Sequence, residues 1–254
     1  MANGFEEDYD FNPKNYKRNS FEENYKESRK LPGLTSVFGY MFLGLLLTGA
    51  IATSLPYLLL SIIKNPETAF ETYIILMIVS MIASLIMVFV AQFVCIKRQT
   101  GGLACFLIYS ALMGVLMSAI MLAYDMTIIG YAFVCASGAF GIMALYGLFT
   151  KGSTKLLGYI GFGMLGGILL LTLAYFILGL FGIEISALGL IISALGIIMM
   201  LAFTAYDVNR AKRMAESGTL TNNLAAYFAL QIYTDFVYLF IRILSILSRF
   251  TKKN

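Results

Sequence analysis

Three charged residues stand inside sequence that is otherwise apolar over membrane-spanning lengths: Asp207, Asp235 and Arg242. A charge at the centre of a membrane helix costs at least about 2.5–3.5 kcal/mol on insertion scales, so such residues turn toward a bundle interior or water and are functional by default. The plainer alternative is a polar contact that holds two helices together. Two carboxylates close together in a medium of low dielectric cannot both ionise cheaply, so they share a proton and titrate as a pair. Deprotonated, the pair is a hard oxygen site that suits Ca²⁺. The chain contains no histidine, which removes Ser–His and Cys–His catalysis, His-ligated zinc and haem, and a histidine pH switch. A pH sensor here must be built from acids, and Asp207 with Asp235 are the candidates.

Asp235 and Arg242 belong to a longer pattern. Gln231, Asp235, Tyr238, Arg242, Ser245 and Arg249 follow one another at spacings of 4, 3, 4, 3 and 4, which is one face of an α-helix. A continuous polar stripe on an apolar membrane helix points away from lipid, so this helix belongs at the centre of a bundle, lining a polar path. Arg242 lies seven residues from Asp235, about 10 Å along the axis. That is too far for a direct pair in a straight helix, but close enough to bias the field.

The elements that carry these residues are read from where charge is missing. Of 254 residues, 59% are hydrophobic and 13% charged, about half the charged fraction of a soluble domain. No charge occurs from Leu31 to Ile63, Thr72 to Ile96, Gln99 to Tyr124, Met126 to Thr150, Leu156 to Ile183 or Ile185 to Tyr206. Each run reaches the roughly 20 residues that cross the hydrocarbon as helix. A seventh segment, Asn222 to Leu247, is the one marked by Asp235 and Arg242. The runs are too long for strands and do not alternate, and an open sheet cannot satisfy its backbone in lipid. The expected fold is an all-α integral membrane protein with seven transmembrane helices, the last one central. Residues 1–30 hold seven acids and six bases and are read as a disordered cytoplasmic tail; 31–250 form the membrane domain and 251–254 a short C-terminal tail.

Spans six and seven are antiparallel neighbours joined by a polar turn, Ser217–Gly218–Thr219 through Asn222–Asn223. With helix ends near Glu216 and Asn222, Asp207 and Asp235 lie about 14 Å and about 20 Å from that turn at 1.5 Å per residue. The depths match within roughly one helical turn, so a carboxylate pair is feasible. Lys97/Arg98, Lys151/Lys155 and Arg210/Lys212/Arg213 fall on the side of the N-terminal tail, which the positive-inside rule makes cytoplasmic. Arg249, Lys252 and Lys253 run against that rule. Either they are tolerated outside, or the last segment re-enters; seven full spans is the preferred reading. Cys95, Cys105 and Cys135 show no metal or disulfide spacing. Gly161-Phe162-Gly163-Met164-Leu165-Gly166 fits GxGxxG without a preceding strand, so it is read as helix packing, with Gly163 and Gly167 as a GxxxG contact. Ser80 and Ser84 are read as interhelical glue.

Two segments resemble the Bax inhibitor family, the transmembrane Bax inhibitor motif proteins. They are Ala202-Phe203-Thr204-Ala205-Tyr206-Asp207-Val208-Asn209-Arg210 and Ala229-Leu230-Gln231-Ile232-Tyr233-Thr234-Asp235-Phe236-Val237-Tyr238-Leu239-Phe240. The resemblance covers about residues 31–250 and implies seven helices with the last one central. It also implies that Asp207 and Asp235 form a pH-sensing pair in a calcium-leak pathway. Some bacterial members carry an acid within helix two and a base near its cytoplasmic end that latches the pair. Span two here has no acid from Thr72 to Ile96, and Lys97 and Arg98 lie beyond the run, which leaves Arg242 as a local substitute.

The leading reading is therefore a pH-modulated cation leak protein of the Bax inhibitor type, not an enzyme. Asp207 and Asp235 form the sensor and possible Ca²⁺ site, and Gln231, Tyr238 and Arg242 form a polar path or latch. No cofactor is expected beyond Ca²⁺ as the permeant ion, and the partners are the lipid bilayer and Ca²⁺, with no nucleic acid. Two alternatives stay open. One is a regulatory membrane protein that binds a membrane protease or a cell-death factor without transport. The other is an intramembrane aspartyl protease, which two aspartates on adjacent helices allow, although the Gly-rich context before Asp235 and a downstream Pro-Ala-Leu segment are missing. The expected location is a bacterial cell membrane, with the endoplasmic reticulum second.

Overall fold

A computed structural model describes residues 33–63, 65–97, 101–182 and 186–251; the 1–30 tail lies outside these. Among the described residues the chain forms seven helices and no strand. They are α1 (Leu34–Ile62), α2 (Pro66–Lys97), α3 (Gly102–Ala123), α4 (Met126–Phe149), α5 (Lys155–Leu180), α6 (Ser186–Glu216) and α7 (Asn222–Thr251). All seven are long and apolar enough to cross a membrane. The shortest, α3 with 22 residues, rises about 33 Å. Each charge-free run closes its backbone hydrogen bonds within its own helix, as hydrocarbon requires.

The turn between α6 and α7 is built by local chemistry. Gly218 takes φ +68°, a left-handed conformation that glycine adopts without steric cost. Its N–H donates to the Ala215 carbonyl at 3.2 Å and the Thr219 N–H to Met214 at 3.1 Å, which satisfies the last carbonyls of α6. Thr221 then opens α7: its Oγ1 accepts the Leu224 N–H at 3.2 Å, an N-cap. One residue into α7, Asn223 Oδ1 accepts the Gly102 N–H at 3.2 Å and pins the start of α3 to the start of α7.

The helix α7 is the axis of the bundle. It packs against α1, α2, α3, α4 and α6, whereas the only substantial partner of α5 is α6. Small residues let these backbones approach. Ala225, Ala226 and Ala229 on α7 and Ala132 and Ala136 on α4 are fully buried. A Cβ placed on Gly147 of α4 would sit 2.6 Å from the Ala205 carbonyl oxygen of α6. The outward faces are the reverse. On α2, Phe70, Ile75, Leu85 and Phe93 are exposed, as are Leu169, Leu170 and Phe176 on α5. Apolar surface on this scale marks contact with a membrane. With no tryptophan in the chain, the exposed Tyr57, Tyr131, Tyr146 and Tyr159 stand within five residues of helix ends, the level of an aromatic belt.

Two packing expectations are corrected. Nothing stands within 4 Å of a Cβ at Gly163 or Gly167; the contact is made instead by Gly158 and Gly161, where a Cβ would meet the rings of Tyr206 and Phe203 at 2.9 Å. Being peripheral, α5 offers α6 a single narrow face, and at about 100° per residue Gly163 lies about 140° round the helix from Gly158, so the GxxxG pattern falls on another side. Ser84 is also not glue between helices, since its hydroxyl donates to Met81 of its own helix at 2.9 Å. The bond between α2 and α3 is made by Tyr73 and Ser118 at 3.0 Å.

Replacing Gly147 by Ala is expected to destabilise the bundle by about 1–3 kcal/mol, the usual cost of overpacking. Gly163→Ala and Gly167→Ala are expected to be neutral or slightly stabilising. Unfolding in mixed detergent measures all three, and equal effects would place the tight α4–α6 contact elsewhere.

Candidate functional site

The ends of α6 and α7 at Glu216 and Asn222 place Asp207 about 14 Å and Asp235 about 20 Å from the connecting turn. Both are buried, at 7% and 6% exposure. The two carboxyls lie within electrostatic reach of each other. Among the described residues, Asp235 Oδ2 is a buried oxygen with no hydrogen-bond partner. Leaving such an acceptor unmet costs about 1–3 kcal/mol or more, so it stands open to a proton, a water or a cation. No group of three or more His, Cys, Asp or Glu gathers among the described residues. The pair alone can offer at most four carboxylate oxygens, fewer than the roughly six to eight that Ca²⁺ takes. Such a site would have to complete the shell with water, and would hold the ion briefly.

The base within electrostatic reach of Asp207 is Arg210. It lies three residues on, one turn closer to the α6–α7 turn, and its guanidinium sits 5.6 Å from the Phe228 ring of α7. The i, i+3 spacing from Asp207 was the signal in the sequence that could have singled it out.

Along the stripe on α7, polar side chains bond to tyrosines of their own helix. Gln231 donates to the Tyr227 hydroxyl at 3.0 Å. Arg242 donates to the Tyr238 hydroxyl and stacks 4.5 Å from the centre of that ring, a cation–π contact. Its Nε is buried without a hydrogen-bond partner among the described residues. Glycines of α6 make room for the arginines: a Cβ at Gly196 would come within 3.2 Å of Arg242 Nε, and one at Gly189 within 2.5 Å of Arg249. The structure thus brings Arg242 together with Tyr238 and Gly196, and leaves Asp207 within electrostatic reach of Asp235 and Arg210.

Two residues before Asp235 is a node that the stripe did not point to. Thr48 of α1 donates to the Ser110 carbonyl of α3 at 2.9 Å. Its single proton is then spent, so the Tyr233 hydroxyl is the donor in the 2.6 Å bond between them. The rings of Phe106 and Tyr109 stand edge-on to Tyr233 at 5.5 and 6.0 Å. Tyr233 is fully buried and bolts α1 and α3 to α7. Tyr206, next to Asp207, packs its ring on Gly158 of α5.

A seven-span helical membrane protein whose central helix carries a buried aspartate, with a second buried aspartate on the helix before it, is the class defined by this geometry. The chain belongs to the Bax inhibitor family: residues 32–252 match the family described as "Inhibitor of apoptosis-promoting Bax1". It is 34% identical over 222 residues to the inner membrane protein YbhL of Escherichia coli K12, covering 84% of this chain and 89% of YbhL. A protein of Borreliella burgdorferi is 30% identical over 241 residues, 85% of this chain and 91% of its own length. A membrane protein of Streptococcus pyogenes serotype M1 is 33% identical over 173 residues, 66% and 72% of the two chains.

Tyr233→Phe removes the donor to Thr48 and keeps the ring. It is expected to cost about 0.6–1.7 kcal/mol, the range of interhelical hydrogen bonds in membrane proteins. An unfolding free energy equal to wild type would show that the rings alone hold α1 and α3 to α7.

Proposed function

We propose that the chain is a pH-modulated cation leak protein with Ca²⁺ as its permeant ion, in which Asp207 and Asp235 bind and release the ion according to their shared proton. The observation that carries this reading is the pair itself: two buried carboxyls on adjacent helices at matching depth, one with an open oxygen. The pair provides the hard oxygen chemistry that Ca²⁺ prefers and a proton-dependent charge without histidine. Arg210, rather than Arg242, is the base that tunes it, because Arg242 is engaged by Tyr238 and lies about 10 Å along the helix from Asp235. The membrane is that of a bacterial cell, in line with the inner-membrane relative. The N-terminus and the α6–α7 turn face the cytoplasm, where Arg210, Lys212 and Arg213 follow the positive-inside rule.

A second reading is favoured by the description of the family, which names an inhibitor of a cell-death protein. In that reading the chain binds a membrane protease or cell-death factor, and the aspartates only hold α6 against α7.

Reconstitution in liposomes separates the two. Ca²⁺ flux in wild type is expected to change across stepped pH, and Asp207→Asn and Asp235→Asn are each expected to change the flux and flatten its pH response. Unchanged flux and pH response in both variants would take the pair out of the mechanism and leave the second reading. Arg210→Gln is expected to move the midpoint to higher pH, because losing a nearby cation makes a carboxylate harder to ionise. Arg242→Ala is expected to move the midpoint less. A larger shift from Arg242→Ala would return the latch to Arg242.

A further inference from the structure

Away from the aspartates, a cavity of about 930 Å³ opens between α1 and α4, with α7 as its floor. It is at the upper end of the roughly 300–1,000 Å³ of small-molecule sites. Its α1 wall runs from Met41 to Thr53, about 18 Å along the helix, so the space is elongated. No charged residue lines it. Of its three hydroxyls, Thr48 is committed to Ser110 and Thr53 to Gly49 of its own helix at 2.9 Å, which leaves Ser137 of α4 as the remaining polar group. A hydrated ion or a polar ligand would find almost nothing to bind. The rim is formed by Phe42 and Phe133, both more than half exposed on the outward surface, so the mouth opens sideways into hydrocarbon.

Two bare wall positions keep the space free. A Cβ on Gly49 of α1 or Gly130 of α4 would meet nothing within 4 Å. Apolar cavities do not hold water, and protein interiors are otherwise packed to crystal density. What surrounds the mouth is lipid, and what fits a long uncharged slot is an acyl chain.

We propose that the cavity between α1 and α4 is a lipid site, in which one acyl chain of a bilayer phospholipid inserts past Phe42 and Phe133 and lies along Phe236 and Phe240 of α7. The head group stays outside, since the lining carries no charge to pair with it. This site is independent of the ion reading, and its occupancy is measurable without any flux assay.

The chain has no tryptophan, so one introduced residue is a clean probe. Phe42→Trp places it at the rim, and Leu170→Trp places it on the exposed face of α5. The full-length protein in detergent is titrated with phosphatidylcholine brominated in its acyl chains, which quenches tryptophan on contact. Phe42→Trp is expected to quench in a saturable phase that ends near one lipid per chain. Leu170→Trp should follow only the bulk lipid-to-detergent ratio. Gly49→Leu with Gly130→Leu, added to Phe42→Trp, is expected to abolish the saturable phase. The proposal is overturned if the two tryptophans report alike or if the saturable phase survives both leucines. It is also overturned if brominated fatty acid quenches Phe42→Trp while brominated phosphatidylcholine does not. The comparison of the two tryptophans decides the matter even if the double leucine variant does not fold.

Discussion

Hydrocarbon offers no partner to a charge. A helix that carries Asp235 and Arg242 across it must be wrapped by other helices along most of its length. The rest of the bundle follows from that constraint. The five helices α1, α2, α3, α4 and α6 surround α7, and the short capped turn at Gly218 returns the chain from α6 so that α6 is the first of them. The helix α5, which carries no charge after Lys155, needs no such shielding and sits at the periphery against α6. Its position is the complement of that of α7: one helix is wrapped because it is polar, the other left in lipid because it is not.

Wrapping requires close approach, and the residues that allow it differ with what they face. Where α7 meets α4 and where α4 meets α6, alanine and glycine bring backbones together, and dispersion between close surfaces replaces the hydrophobic effect that lipid removes. Where α6 meets the arginines of α7, glycine does something else. Gly189 and Gly196 repeat at the same seven-residue interval as Arg242 and Arg249, so each guanidinium lies over a position without a side chain. Tyr233 solves the remaining problem, that of fixing α1 and α3, with one buried hydroxyl that donates once and a ring that fills the space beside it.

Much of this was legible in the sequence because charge and hydropathy report directly on lipid. The seven helices follow the apolar runs, the ends of α6 and α7 fall at the polar turn Ser217–Gly218–Thr219, and the central place of α7 followed from its stripe. What stayed hidden depends on which helix faces which, and at what angle. A run of glycines in α5 does not say whether Gly158 or Gly163 points at α6. The hydroxyl of Ser84 could reach a neighbour or its own backbone, and only the neighbour's distance decides. Tyr233 lies off the polar stripe, and its partners Thr48 and Ser110 are more than a hundred residues away, so no spacing rule reaches them. Arg210 was visible as a charge just past the apolar run; its bearing on Asp207 was not, because boundary arginines are ordinarily read as topology signals.

The separation of acids and bases along α7 has an energetic consequence for the leak reading. At about 10 Å and an effective dielectric near 20, one arginine and one carboxylate attract by roughly 2 kcal/mol, and the same arginine repels a divalent cation by roughly twice that. A Ca²⁺ ion held by Asp207 and Asp235 therefore sits on one side of an electrostatic rise centred on Arg242, whose charge is held in place by the Tyr238 ring and hydroxyl. An ion that must climb past a fixed arginine moves slowly. That fits a leak better than a fast channel, and in the proposed leak it gives Arg242 a part in the rate of passage, apart from the part proposed for Arg210 in the titration of the pair.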